Sequence, residues 1–319
     1  MSASSTAGSN APGAGSTAFD RGRAERRPSG GARRAFVAAA VLGWQTEANW
    51  ADPVVFVLFS VAKPVASALM LVVMLDVVSG GAAGDYLGFV VVGSALWSFV
   101  QSGIAGLAWG VLDDRERYRM LKYLYVSPTD FAVVLLGRGV ARIAIGALGA
   151  LVVLAIGVAV LGLPFEPVRT DWPLLVVVMG AGLATVVAIG MLMAAVVLQT
   201  RQESWSYPDA VAGALFLIVG AVFPLAVLPT PLQALGLLTP LTWWIAGVRE
   251  ALFPGGLSAI GGPGSLFTAL TGQATPTSGQ IVVSLLGTGL AVTLVAAAIF
   301  RASERRAKDR GLIDLTTGS

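Results

Sequence analysis

The sequence predicts an all-α polytopic membrane protein with six transmembrane helices. Of its 319 residues, 55% are apolar and 12% are charged, and the mean hydropathy is +0.78. A soluble domain carries about a quarter charged residues, so this composition is typical of a protein embedded in lipid. A helix needs about 20 apolar residues to cross the hydrocarbon. Six stretches meet this requirement: 54–76, 87–110, 132–162, 173–198, 210–229 and 280–300.

The region before the first span divides into two parts. Residues 1–34 are rich in Ser, Gly, Ala, Pro and Arg, which predicts a disordered basic cytoplasmic tail. Residues 35–51 are moderately apolar and contain Trp44 and Trp50, and indole rings prefer the membrane interface. We therefore expect an N-terminal interfacial helix. The alternative is that this stretch simply begins the first span.

A more broken apolar segment, 231–253, lies between the fifth and sixth stretches. Pro231 and Pro240 divide it into two pieces of about ten residues, and neither is long enough to span. Irregular backbone at membrane depth has to be satisfied within the protein. We therefore expect a re-entrant or interfacial helix pair before the last span. A loop rich in Gly, Ser, Pro and Thr follows, from 254 to 279.

The distribution of basic residues predicts the orientation. Eighteen of the 21 Lys and Arg lie in the N-terminal tail, in the 113–142 region, after the fourth span and in the C-terminal region. Cytoplasmic segments carry such an excess. Both termini are therefore expected in the cytoplasm, including a C-terminal tail at 306–319, and an even number of spans agrees with this. We expect a multi-pass protein of the cytoplasmic (cell) membrane.

A charged segment, 113–130, interrupts the apolar chain between the second and third spans. Read as a helix over 114–126, it has an apolar face and a basic face. The apolar face contains Tyr118, Leu121, Leu124 and Tyr125, and the basic face contains Arg115, Arg119 and Lys122. The helix has to end before Pro128, where Ser127 and Asp130 predict a capping box for the next helix. The pattern favours a short amphipathic docking helix over a solvated loop.

Several kinds of chemistry are excluded by residues that the sequence lacks. It has no Cys and no His, which excludes thiol nucleophiles, disulfides, Cys/His metal sites and imidazole catalysis. None of its three lysines follows Gly, so the sequence has no G-K-[ST] phosphate loop. No acidic residue lies well inside a predicted span, which argues against the proton relay of an ion-coupled carrier. Neither a channel filter nor the clustered carboxylates of a membrane-embedded enzyme is found.

Two motifs resemble the transmembrane subunits of the ABC type-2 exporter family. After the second span, that family carries E-x-x-G-T-L-E-x-L-x-x-x-P. The matching residues are Glu116, Leu121, Leu124 and Pro128, and those that differ are Arg119, Met120 and Lys122. The family's last block runs F-P-x-x-x-L-P, then P-L-T with an aromatic residue, then R-x-x-L. The residues that fit it are Phe223, Pro224, Leu228, Pro229, Pro240, Leu241, Thr242, Trp243, Arg249 and Leu252.

The resemblance covers 35–305 and implies that this stretch is an ABC-type transmembrane domain, the permease half of an exporter. Two such subunits, as a homodimer or a heterodimer, would form the path through the bilayer. Each would bind a separate ABC ATPase subunit that carries ATP and Mg²⁺, so this chain would hold no cofactor or metal and would catalyse no reaction itself. The alternative is an ion-coupled secondary transporter, or another polytopic membrane protein without an ATPase partner.

Roles for individual residues also follow from the resemblance. The 113–127 segment looks like the coupling helix that docks on the ATPase. Its contact residues would be Arg115, Glu116, Tyr118, Arg119, Leu121, Lys122, Leu124 and Tyr125. The 231–253 pair looks like the extracellular re-entrant helices that close the outer mouth. The residues of this gate would be Pro224, Pro229, Pro240, Trp243, Arg249 and Glu250. Arg249 and Glu250 would pair with each other or with the second subunit.

The cargo is less constrained by the sequence. The aliphatic, charge-poor spans favour a hydrophobic or amphipathic substrate, either a drug or antibiotic or a lipid or lipid-linked glycan. Lys63, ten residues into the first span, either reaches the cytoplasmic interface or lines a path for an anionic substrate. Trp97 and Trp109 in the second span are candidates for the same path, and core packing explains them equally well.

Overall fold

The chain folds into a bundle of helices. The computed structural model describes residues 29–48, 52–80, 84–117, 130–200, 206–256 and 258–309, and every regular element among them is a helix. The ten α-helices run in chain order as α1 (Ser29–Ala48), α2 (Pro53–Ser79), α3 (Gly84–Leu112), α4 (Phe131–Ala159), α5 (Trp172–Gln199), α6 (Tyr207–Ile218), α7 (Thr230–Leu238), α8 (Pro240–Leu252), α9 (Leu266–Thr271) and α10 (Ser278–Asp309). A π-helical turn (Asp113–Arg117) follows α3, and a 3₁₀ turn (Leu225–Val227) precedes α7.

Five of these helices, α2, α3, α4, α5 and α10, are long and apolar enough to cross a membrane. Each contains most of one predicted span, which confirms an all-helical, multi-pass membrane protein. The stretch 210–229 differs, because α6 has only 12 residues and ends at Ile218. Twelve helical residues extend about 18 Å, whereas the hydrocarbon is about 30 Å thick. Among the described residues, five single helices are therefore long enough to span, and the sixth predicted span is not one continuous helix. The count of six spans stays a prediction.

The cause of the break after α6 is local. Gly220 adopts a left-handed conformation with φ +72°, which Gly tolerates because it has no Cβ. Pro224 follows four residues later and begins the 3₁₀ turn. The apolar run 210–229 thus continues through a backbone that is no longer one helix.

Two helices extend beyond their predicted bounds. α1 begins at Ser29, so Arg33 and Arg34 lie within a helix and not in the predicted tail. α10 continues to Asp309, which brings the start of the predicted C-terminal tail into the same helix. The end of α10 is attached to the bundle, because the Gln199 side chain donates to the carbonyl oxygen of Ser303 at 2.7 Å. This partly buried contact is made beyond the predicted span, which ends at residue 300.

The second span, α3, forms the centre of the bundle. Within the most apolar part of each helix, 67% of α3 is buried but only 11% of α2. α3 packs between α4 and α5, and α5 packs on α10. Small residues allow these approaches, since a Cβ on Gly146 would meet Ser102 and one on Gly190 would meet Leu107. α1 lies against α4, and its expected location in the membrane interface stays a prediction.

The predicted helix pair at 231–253 is present as α7 and α8, with the break at Thr239 and Pro240. α8 is wedged between α5 and α10, and its residues from Pro240 to Arg249 are all buried. Gln233 in α7 fastens the following loop, because its amide donates to the carbonyl oxygens of Leu228 and Gly264 and accepts from the amide of Leu266. We call this end of the bundle the outer end and the end with Arg138 the inner end, following the predicted orientation.

Candidate functional site

The charged residues at the inner end of α3 reach two neighbouring helices. Asp114, which is 2% exposed, forms a hydrogen-bonded ion pair with Arg138 of α4. The preceding residue, Asp113, lies 3.8 Å from Arg142 one turn further along α4. Charges near the end of a span require partners because the surroundings have low polarity. The end of α3 is therefore attached to α4 by charge.

Arg115 points to the other neighbour. Its Nη1 donates to the carbonyl oxygens of Val197 at 3.1 Å and Thr200 at 2.9 Å, at the C-terminal end of α5. An arginine at this position satisfies carbonyls that have no partner within the helix. The side chain is only 5% exposed, whereas the sequence placed it on the basic face of a helix that contacts an ATPase subunit. The π-helical turn changes the register on which that face was predicted.

The rest of the predicted coupling helix lies largely outside the described residues. This applies to Tyr118, Arg119, Leu121, Lys122, Leu124 and Tyr125 and to the side chain of Glu116. The segment re-enters the described structure at Asp130, which is the N-cap of α4 and accepts from the amide of Ala132 at 3.1 Å. The predicted capping box placed Asp130 inside the helix, but α4 begins only at Phe131. We call Asp113, Asp114, Arg115, Arg138 and Arg142 the inner joint.

Arg249 organises the outer end. Its guanidinium group donates to the carbonyl oxygens of Gly220 at 2.7 Å and Phe89 at 2.8 Å and also to that of Ala221, and it lies 3.5 Å from the centre of the Phe89 ring. The sequence suggested Glu250 or a second subunit as its partner; the structure gives it backbone carbonyls instead. α6 has ended before Gly220 and Ala221, so their carbonyls need such a donor. We call Arg249 and its three acceptor residues the outer latch.

Gly93 makes the outer latch sterically feasible. A Cβ at this position of α3 would overlap the carbonyl oxygen of Ala221 and crowd the Arg249 side chain. The other predicted gate residues start consecutive short helices: Pro224 and Pro229 immediately precede the 3₁₀ turn and α7, and Pro240 begins α8. Proline suits these starts because its φ is already helical and its missing N–H is not needed there. The buried Trp243 donates to the carbonyl oxygen of Leu237 at 2.8 Å, which closes the α7–α8 corner.

A cavity of about 500 Å³ lies beside the outer latch. Its walls come from the start of α3, the second half of α8 and the loops around 163–164, 255–258 and 275–276. Glu250 is half-buried and lines it together with Arg249 and Phe253. The described residues contain no group of three or more His, Cys, Asp or Glu that could hold a metal ion.

The structure does not bring the candidate path residues together. Lys63 is exposed on α2. Trp97 is half-buried in the middle of α3 and packs on Phe216 of α6, with ring centres 4.7 Å apart. Trp109 lies twelve residues further along α3, about 18 Å away along the helix axis, against the apolar cluster at the inner end. A shared path through these three residues remains a prediction.

Sequence reasoning missed Asp114, Arg138 and Gly93. A signal for the first two was available, because a charge at the end of an apolar run needs a partner. The sequence contains several basic residues that could have served, and it gives no means of choosing Arg138 among them. For Gly93 the sequence offers no signal, since α3 contains several other glycines.

The comparisons with known proteins identify a family. The model of a family described as "ABC-2 type transporter" matches residues 38–253, which is more than half of the chain. The match includes the inner joint, the outer latch and the α7–α8 pair. No curated protein matches the sequence.

Proposed function

Because the chain belongs to the ABC-2 type transporter family, we propose that it is the permease subunit of an ATP-driven exporter. The family as a whole consists of multi-pass permeases that work with ABC ATPases in a dimeric arrangement. For this chain, we propose a separate ATPase subunit at the inner end and a second permease subunit, with both termini in the cytoplasm and the complex in the cell membrane. The proposed cargo is hydrophobic or amphipathic and leaves the cell.

The observation that carries this proposal is the way the charged segment 113–130 is anchored. We call this segment the charged corner. The described ends of this segment are fixed by the buried Asp114 and Arg115 on one side and by the helix cap Asp130 on the other. A partner that moves the corner would therefore act on α3, α4 and α5 together. An ordinary solvated loop needs no such buried attachment at its base. This arrangement supports a site where an ATPase transmits force.

The proposed mechanism uses α3 as the moving part. α3 carries Asp114 near one end and Phe89 near the other, and no break interrupts Gly84–Leu112. ATP-driven closure of two ATPase subunits would displace the inner ends of the spans. A continuous helix passes that displacement to Phe89, whose carbonyl belongs to the outer latch. The outer mouth would open as the latch rearranges, and the cargo would leave without covalent chemistry on this chain.

Recovery of the ATPase is the direct test of this function. The tagged chain is solubilised from its native cells, and the proteins that copurify are identified by mass spectrometry. We expect a subunit with a G-K-[ST] phosphate loop and vanadate-sensitive ATP hydrolysis. The double variant Leu121→Asp, Leu124→Asp should lose this subunit, because amphipathic helices bind through their apolar face.

The matched control is Leu312→Asp, Leu315→Asp, in the predicted C-terminal tail, which should retain the ATPase. Full retention of the ATPase by the Leu121, Leu124 variant would contradict the docking assignment. Uphill transport by the purified chain with an ion gradient and no second protein would contradict the function itself and favour the ion-coupled alternative.

Lys63 has two possible roles, lining the transport path or reaching the membrane interface, and uptake of anionic and cationic cargo distinguishes them. Its side chain is exposed on α2, the least buried of the five spans. If Lys63 lines the path, Lys63→Met should lower ATP-dependent uptake of an anionic amphiphile into inverted vesicles and leave that of a cationic amphiphile unchanged, because only the anion loses an attractive charge. Arg305→Met, an exposed change near the end of α10, is the control. Equal uptake of both amphiphiles by the Lys63 variant and the native chain would assign Lys63 to the interface.

A further inference from the structure

We propose that Asp114, Arg138 and Arg115 are positioning residues that couple movement of the charged corner to α3, α4 and α5 together. This inference rests on the proposed function and adds the residues through which the force passes. None of the three is expected to contact ATP or cargo.

The first support is the way in which adjacent residues diverge. Asp114 pairs with Arg138 of α4, and Arg115 donates to the last carbonyls of α5. One peptide unit thus connects α3 to both of the helices that enclose it. Displacement at this point cannot move α3 alone, because the two attachments carry α4 and α5 with it.

The second support is burial. The side chains of Arg138 and Asp114 are 15% and 3% exposed, and Arg115 is 5% exposed, so solvent screens these contacts only weakly. The exposed ion pair between Glu166 and Arg169 at the outer end provides the contrast, since its side chains are 58% and 77% exposed. Exposed pairs of that kind hold their partners weakly. The buried pair is suited to transmit a displacement, and the exposed pair is not.

The third support is the turn in which the two residues lie. Asp113–Arg117 form a π-helical turn at the end of a long α-helix. Turns of this kind are rare in proteins, and those that occur are often found at functional sites. The turn directs Asp114 to α4 and Arg115 to α5, and a continued α-helix would change this pairing. The backbone conformation of this turn is therefore what allows both contacts to form at once.

The test measures how much the accessibility of a thiol at the outer end changes per nucleotide trapped on the ATPase. The chain has no cysteine, so Ser258→Cys, in the wall of the outer cavity, provides a single thiol. The purified complex in nanodiscs is labelled with a charged maleimide, with and without ATP and vanadate. Trapped nucleotide is measured in the same sample, and the vanadate-dependent change in labelling rate is divided by it. We expect a clear change for the Ser258→Cys chain.

The variant Asp114→Asn, Arg138→Gln keeps the size of both side chains and removes their charges. We expect it to lose the vanadate-dependent change per trapped nucleotide. The matched control, Glu166→Gln, Arg169→Gln, should keep the change in full. If the neutral variant does not assemble, Arg138→Lys retains the charge without the forked geometry of arginine and should show a reduced change.

A merely structural role gives a different result. It would lower the yield of assembled complex and leave the labelling change per trapped nucleotide as in the parent chain, and this outcome would overturn the inference. Absence of any vanadate-dependent change in the Ser258→Cys parent, despite trapped nucleotide, would instead count against the proposed function. The two failures are therefore distinguishable.

Discussion

Replacement of Arg249 by methionine is expected to cause the largest loss of stability of any single change considered for this chain. The variant would leave the carbonyls of Gly220 and Ala221 without this donor. It would also remove a second donor from the carbonyl of Phe89, which lies inside α3 and keeps its helical partner. Each buried polar group deprived of its partner costs about 1–3 kcal/mol, so the loss of two such partners should cost about 2 kcal/mol or more. The measurement is unfolding of the purified chain in mixed micelles with increasing denaturing detergent, followed by loss of helix signal.

Arg169→Met is the matched control for this prediction. It removes the same side chain from the same end of the molecule, at a position that is 77% exposed and paired only with Glu166. Exposed pairs contribute about 0–1 kcal/mol. Arg249→Lys should fall between the two, because an ammonium group lacks the planar fork that serves several acceptors. Equal stability of Arg249→Met and Arg169→Met would contradict the outer latch.

Gly182→Ala is expected to destabilise the chain nearly as strongly. A Cβ at Gly182 of α5 would overlap the indole ring of Trp244, which is fully buried in α8. Extra volume in a packed core costs about 1–3 kcal/mol, and a fully buried tryptophan has little room to shift. The same unfolding assay applies. Destabilisation here would show that the α5–α8 contact requires glycine.

The control for this prediction lies two residues away on the same helix. A Cβ on Gly180 would meet nothing within 4 Å. Gly180→Ala should therefore be neutral or stabilising by up to about 1 kcal/mol, because alanine is the better helix former. If the two substitutions changed stability equally, helix propensity and not packing against Trp244 would explain the effect.

The positions of the spans could be predicted from the sequence, but the continuity of each helix could not. Hydropathy measures the length of an apolar run, and five runs correspond to continuous helices, although one of them, α2, contains Pro64 in its interior. In 210–229 the apolar composition continues while Gly220 and Pro224 redirect the chain. The proline was visible in the sequence. The helix nevertheless ends before it, beside the left-handed Gly220, whose carbonyl accepts from Arg249, 29 residues further on.

The partners of the charged residues could be predicted even less well from the sequence. Helical spacing assigned Arg115 to the basic face of a docking helix, and proximity in sequence suggested Glu250 as the partner of Arg249. Both side chains bind backbone carbonyls of other helices, and one of those acceptors, Phe89, is 160 positions away from Arg249. Local patterns report which groups need partners, whereas the packing of the whole bundle decides which partner is reached. The docking role of 118–129 remains a prediction.

The three hydrogen bonds of the Gln233 side chain have a consequence for how the outer surface can change shape. Two of them tie α7 to the chain near Gly264 and Leu266, so a displacement of α7 has to carry this stretch of chain with it. On either side of this stretch, Gly255 and Gly272 adopt positive φ angles of 76° and 72°. We expect the backbone to bend at these two glycines when the stretch moves. Restricting the backbone at either glycine should slow this movement and leave the hydrogen bonds of Gln233 in place.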